Sequence, residues 1–137
     1  MAKDFFHDLV RELLEQDGWT ITHDPLTIKG LTRKIHIDLA AEKILAAERD
    51  GKKIAVEVKS FLNPSLLTDF YEAIGKYSIY WEALHENEPI RQLFLALPVA
   101  AYEDLITEPF VQNTVQRLSI QVLVFNPDSK KIERWDI

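Results

Sequence analysis

The chain has 137 residues, of which 47% are hydrophobic, and a formal net charge of −6. This length suits one compact domain, and the sequence lacks an apolar stretch of the ~20 residues that a membrane span needs. The acidic balance argues against a protein that coats DNA through a broad basic face. The absence of cysteine excludes disulfides and thiolate zinc sites. With an N-terminus that lacks a signal-peptide pattern, these features predict a cytoplasmic protein without membrane contact.

The charge is distributed unevenly along the chain. Residues 27–59 carry eight Lys or Arg and five Asp or Glu, a sum of +3, so the remainder sums to −9. A locally basic segment in an acidic domain is compatible with a confined phosphate site. Charged strand edges produce the same pattern.

The first third of the chain predicts a helix followed by short strands. An apolar stripe at helical spacing predicts a helix over 4–16, with Asp4 as its cap. We expect a short strand over 19–23. Residues 24–34, which are rich in charges and contain proline and glycine, predict a loop.

The next segment predicts strands joined by tight turns. Apolar and polar residues alternate from 35 to 40, and 44–48 predicts a second strand before the turn Asp50-Gly51. A strand over 53–61 follows, and its alternation predicts two different faces. One face carries Ile54, Val56 and Val58, and the other carries Ala55, Glu57 and Lys59.

The second half predicts alternating helices and strands. Asn63-Pro64 predicts the start of a long helix that ends near Glu86. The later elements are a strand over 92–97, a helix over 109–118, and strands over 120–125 and 132–135. This order predicts an α/β fold with a mixed sheet covered by helices on both faces, antiparallel at first and parallel later.

One short motif in the central strand is a candidate for a catalytic or metal-binding site. Composition predicts about 1.6 chance matches to (Asp/Glu)-x-Lys, and the chain contains Asp50–Lys52, Glu57–Lys59 and Asp128–Lys130. Only Glu57–Lys59 lies inside an apolar strand, where charges are costly unless paired or bound to an ion. The alternative is an ordinary cross-strand ion pair on a solvated face, and periodicity alone does not decide between them.

Asp38 on the preceding strand completes a set suited to phosphate chemistry. The carboxylates of Asp38 and Glu57 are oxygen ligands of the kind that Mg²⁺ or Mn²⁺ binds. Such an ion stabilises charge on phosphate oxygens and activates water. Lys59 projects to the same side of its strand as Glu57, so it can orient water or balance developing charge. Asp38, Glu57 and Lys59 are therefore the predicted catalytic residues, and the first two are the predicted metal ligands.

Longer segments carry a family resemblance that is more specific than this motif. They include FHDLV at 6–10, DGWTITHDPL at 17–26, DLAAEK at 38–43, IAVEVKSF at 54–61 and AIGKY at 73–77. Through them the chain, nearly end to end, resembles the XisH family, the excision-controlling factors of cyanobacterial DNA elements. More broadly it resembles the PD-(D/E)xK nuclease superfamily.

The resemblance implies a single nuclease-like domain over 1–137 with a three-layer α/β/α restriction-endonuclease-like fold and a mixed central sheet. It implies the same roles for the predicted triad, a Mg²⁺ or Mn²⁺ cofactor, and a further acid from the first helix. Glu12 is the candidate for that acid, and Asp8, one turn earlier, is the competing candidate. The alternative is that both are ordinary solvated charges on the helix surface. The superfamily motif has a proline directly before its first Asp, whereas this chain has Ile37 before Asp38.

Four lysines are candidates for DNA contact, namely Lys34, Lys52, Lys53 and Lys76. Relatives often carry Gln where this chain has Lys76, and a lysine cannot reproduce the paired donor and acceptor of an amide. Two functions remain open. One is metal-dependent DNA cleavage during excision of a DNA element, for which a homodimer would supply two sites. The other is non-catalytic control through a partner, for which the resemblance implies the companion factor XisI.

Overall fold

The computed structural model describes residues 4–29, 34–37, 39–43 and 51–135. The predicted helices and strands that fall within these ranges are present in the predicted order, together with two further elements, and residues 34–37 and 39–43 form two strands where one was expected over 35–40. Their bounds are α1 His7–Gln16, β1 Thr20–His23, β2 Leu26–Lys29, β3 Lys34–Ile37, β4 Leu39–Lys43, β5 Lys52–Val58, α2 Leu66–Asn87, β6 Gln92–Pro98, α3 Val99–Ile106, α4 Pro109–Arg117, β7 Val122–Asn126 and β8 Lys131–Trp135.

Six strands form a mixed sheet in the order β1-β4-β5-β6-β7-β8, and β2 and β3 form a separate hairpin. β5 pairs with β6, and β6 with β7, in parallel. The remaining pairs in the sheet are antiparallel. Helix α2 makes the crossover that parallel strands require between β5 and β6. The predicted change from antiparallel to parallel pairing is confirmed.

The two faces of β5 belong to different packing layers, as its alternation predicts. Ile54, Val56 and Val58 are buried in the cluster that contains Val10 and Leu14 of α1. Ala55 belongs to the other cluster, with residues of α2, α3 and α4 and of the β2–β3 hairpin. Helices therefore cover both faces of the mixed sheet. No helix in the described ranges is long and apolar enough to cross a membrane.

Two elements were not predicted. The expected loop over 24–34 contains β2, in which Leu26 and Ile28 are buried while Thr27 between them is exposed. This alternation spans so few residues that the surrounding charges and proline outweighed it in the sequence pattern. Helix α3 follows β6 directly, because Pro98 ends the strand and is the residue before the helix.

The predicted caps are partly corrected. Helix α2 begins at Leu66, and the side chain of Ser65 accepts from the Thr68 amide, so Asn63-Pro64 is not the helix start. Asn63 instead accepts from the Ser65 amide at 3.0 Å. Helix α1 begins at His7, and the Asp4 carboxylate accepts from the Phe6 amide just before it. The strand predicted over 44–48 lies outside the described residues.

Candidate phosphate and metal site

The predicted motif lies at the carboxyl end of β5, between β4 and β6. Glu57 pairs with Leu95 of β6, and only 4% of its surface is exposed. Lys59 follows the last residue of the strand, and its amide donates to the Ala96 carbonyl at 3.0 Å. A buried glutamate and a lysine two positions later thus occupy the edge where the central strands end. This arrangement contradicts a fully solvated face.

Two carboxylates of α2 contact the Lys59 ammonium. Nζ lies 2.8 Å from Oε2 of Glu72 and 3.6 Å from Oδ1 of Asp69. The Asp69 side chain is 6% exposed and that of Glu72 is 54% exposed. Lys59 therefore lies between one buried and one solvent-facing carboxylate.

The protonation state of Lys59 follows from these contacts. Burial by itself lowers the pKa of the ammonium, but the hydrogen bond to Glu72 and the charges of Asp69, Glu72 and Asp4 outweigh it. The net result is a raised pKa. Near neutral pH, Lys59 is therefore a cation and hydrogen-bond donor, and it does not serve as a proton acceptor.

The segment after Lys59 is held from two sides. The Asp4 carboxylate accepts from the Ser60 amide at 2.8 Å, which ties the segment before α1 to the end of β5. The Asn63 amide donates to Oδ2 of Asp69 at 3.0 Å. Between them Phe61 adopts a φ of 56°, a left-handed conformation that is unusual for a bulky residue. Backbone strain of this kind concentrates at functional sites.

Part of the predicted site lies outside the described residues. Asp38 is outside the described residues. So is the side chain of Lys34, although the backbone of Lys34 begins β3. Leu39, the residue after Asp38, pairs with Val56, the residue before Glu57. Within the described side chains, no three His, Cys, Asp or Glu form a group that could hold a metal ion. The roles of Asp38 and Glu57 as metal ligands stay predictions.

The other predicted residues occupy different places. Lys52 and Lys53 begin β5, so they lie ~20 Å along the strand from Lys59. Lys76 is exposed on α2; the pKa of Glu72 is lowered first by its hydrogen bond to Lys59 and by the charge of Lys59, and the charge of Lys76 adds to this. Glu12 and Asp8 are exposed on α1, whose buried side packs against the face of β5 opposite to Glu57.

Sequence reasoning missed the α2 carboxylates. Asp69, Glu72 and Lys76 follow one another at spacings of three and four residues, which places them along one side of a helix. That spacing was a usable signal for a charged row. It could not reveal that the row meets Lys59, because that contact depends on how α2 crosses the sheet.

Comparison with known proteins identifies the family. The model of the family described as XisH protein matches residues 1–133. A crystal structure of an XisH family protein from Nostoc punctiforme PCC 73102 is 36% identical and superposes with a TM-score of 0.86, covering 98% of this chain and 100% of that chain.

A second crystal structure is that of an fdxN element excision controlling factor protein from Anabaena variabilis. It is 37% identical, with a TM-score of 0.84, and the match covers 95% of this chain and 96% of that chain. No curated protein matches the sequence. The family model and both structures agree over nearly the whole length, and the chain therefore belongs to the XisH family.

Proposed function

We propose that this protein controls excision of a DNA element and that it does so with a PD-(D/E)xK nuclease core that acts on DNA with a divalent cation. The similar protein from Anabaena variabilis is described as an excision controlling factor. The observation that carries the nuclease part is the 4% exposed Glu57 two residues before Lys59 at the end of the central strand. A buried acid beside a persistent cation suits recognition of metal and phosphate together.

The restriction-endonuclease-like fold is part of this proposal. A three-layer α/β/α arrangement requires helices on both faces of a mixed sheet. The packing of α1 against one face and of α2, α3 and α4 against the other supports it. So does the position of the motif on β5, the strand at which pairing changes from antiparallel to parallel.

The residues at this edge suit a hard divalent cation. Glu57 supplies a carboxylate, and Asp38, which precedes the strand paired with β5, would supply the second. Oxygen ligands of this type bind Mg²⁺ or Mn²⁺. When bound, the cation would polarise a phosphate oxygen and activate water. Glu12 remains a weaker candidate because α1 packs on the opposite face of β5.

Lys59 would orient and neutralise a phosphate group. Its raised pKa keeps it protonated because the α2 carboxylates favour the charged form. A cation with donor hydrogens stabilises negative charge on phosphate oxygens. Lys76 on α2 would add to the positive charge at this edge. Lys34, Lys52 and Lys53 would contact DNA away from the reacting phosphate.

The test compares the wild-type protein with Glu57→Gln and Glu82→Gln. Calorimetric titration with Mn²⁺ and Mg²⁺ should show binding that Glu57→Gln loses and Glu82→Gln retains, because Glu82 is an exposed acid of α2. Cleavage of supercoiled, branched and single-stranded DNA should follow the same pattern. Lys59→Met should lose cleavage yet bind the metal. Equal metal binding by wild type and a folded Glu57→Gln variant would contradict the proposal.

A second candidate is a controlling factor that retains the nuclease fold but does not cut DNA. The specific observation in its favour is that Lys59 already contacts two carboxylates. Such a protein would act through a partner, for which XisI is the proposal. Capture of XisI by both wild type and Lys59→Met, with excision intact in the variant, would favour this candidate. Loss of excision in a folded Lys59→Met variant would contradict it.

A further inference from the structure

We propose that Glu72 is a displaceable carboxylate that occupies the Lys59 ammonium until a phosphate group of nucleic acid replaces it, and that Lys76 then becomes the partner of Glu72. This inference rests on the proposed function, because it concerns the same lysine. It identifies Glu72 as a residue that competes with phosphate for the Lys59 ammonium.

The two carboxylates at Lys59 differ in how readily they could leave. Asp69 is buried, its Oδ2 already accepts from the Asn63 amide, and its Oδ1 is 3.6 Å from Nζ. Moving Asp69 would break its hydrogen bond with Asn63, which holds the segment that follows β5. Glu72 makes the shorter contact of 2.8 Å, but half of its side chain faces solvent. An exposed carboxylate regains water when it leaves its partner, so exposed ion pairs are easily exchanged. Glu72 is therefore the exchangeable member.

Lys76 offers Glu72 a second cation nearby. The two residues are four positions apart on α2, with the acid on the N-terminal side, which is the favourable order for a helical ion pair. The charge of Lys76 already contributes to the lowered pKa of Glu72, after the larger effect of Lys59. Glu72 thus has a second lysine one helical turn away, and rotation of its side chain would exchange one cation for the other.

Competition for one ammonium has a measurable consequence. A carboxylate and a phosphate cannot both occupy the same side of Lys59 without like-charge repulsion. Replacing Glu72 by glutamine removes the charge but keeps the shape. We expect Glu72→Gln to bind a short duplex about two- to fivefold more tightly, the range expected for loss of one exposed charge contact.

The first experiment measures binding of a fluorescent duplex oligonucleotide by wild type, Glu72→Gln and Glu82→Gln, with Ca²⁺ as the divalent cation. Glu82 is an exposed glutamate ten positions later on the same helix, so its substitution changes the net charge equally. Tighter binding only by Glu72→Gln supports displacement. The same gain in both variants reports net charge alone and overturns the proposal.

The second experiment asks whether Lys76 receives Glu72. Lys76→Met should weaken duplex binding when Glu72 is present, because displacement then loses its second partner. In the Glu72→Gln background the same change should have much less effect. Equal weakening in both backgrounds would mean that Lys76 contacts phosphate directly, which contradicts its role as alternate partner.

A third measurement separates this inference from the proposed function. Proteins with ¹⁵N-labelled lysine are titrated with inorganic pyrophosphate, and the Lys59 ammonium resonance is followed. We expect it to respond at lower concentration in Glu72→Gln than in wild type or Glu82→Gln. This outcome would support displacement even if no protein bound or cut DNA. An identical response in all three proteins would overturn it.

Discussion

The buried His7 ring and the half-buried Asp24 carboxylate form a pair, with Nε2 of His7 2.7 Å from Oδ1 of Asp24. Arg11 donates to the other oxygen of Asp24 at 2.6 Å. His7 is 3% exposed and Asp24 is 12% exposed. One carboxylate thereby connects two successive turns of α1 to the segment between β1 and β2.

Replacing Asp24 by asparagine should destabilise the protein by about 1 to 3 kcal/mol, because the amide loses the negative charge that faces Arg11 and offers one acceptor oxygen in place of two. The change is measured as the free energy of unfolding in denaturant. Glu12→Gln, an exposed change on α1, should stay within about 0.5 kcal/mol of wild type. An equal, small effect of both substitutions would show that the Asp24 pair contributes little.

Tyr77 joins α2 to β6 and to Gln121, the residue before β7. Its hydroxyl donates to the Leu93 carbonyl and accepts from the Gln121 amide, both at 3.1 Å. Burial raises the pKa of this phenol, so it stays protonated near neutral pH. Tyr77→Phe should cost about 1 to 3 kcal/mol of unfolding free energy, since the buried Leu93 carbonyl and the half-buried Gln121 amide lose a partner. Tyr71→Phe is the matched control, because Tyr71 is 61% exposed. Equal thermal midpoints for the two variants would count against this role.

The Lys59 contacts predict a defined pH dependence. A raised folded-state pKa contributes stability that is present below the unfolded value, about 10.4, and is lost as pH rises through the folded value. The pKa of Glu72 is lowered by its hydrogen bond to Lys59, so its contribution is lost as pH falls through that lowered value. The stability difference between wild type and Lys59→Met should therefore be constant near neutral pH and shrink at both extremes. A difference that changes steeply around neutral pH would contradict these assignments.

Arg91 links the start of β6 to β5. Its Nη1 donates to the Ile54 carbonyl at 3.1 Å, and its Nη2 lies 3.0 Å from Glu88. Arg91→Met should cost about 1 to 3 kcal/mol, because the Ile54 carbonyl loses this donor in a buried position. Arg117→Met changes an exposed arginine at the end of α4, where at most about 1 kcal/mol is expected. Chemical denaturation of both variants checks the difference.

Much of the central strand was predictable from the sequence. Ile54, Val56 and Val58 alternate with Ala55 and Glu57, and a period of two residues translates directly into two faces of a sheet. The long apolar period of α2 predicted its extent to within a residue at the C-terminal end. The helix start was less predictable because Asn63 and Ser65 are both capping residues, and only the backbone conformation decides which one caps.

The sequence by itself determined that Glu57 lies on an apolar strand with Lys59 two residues later, that this strand packs on two faces, and that the chain resembles one family. These depend on neighbouring residues and on regular repeats, which are local in the chain. Only the tertiary structure decided that Asp69 and Glu72 contact Lys59, that Asp4 holds the Ser60 amide, and that Asp24 binds His7 and Arg11. Those contacts join residues from separate elements, and they form only once α1 and α2 have packed against opposite faces of the sheet.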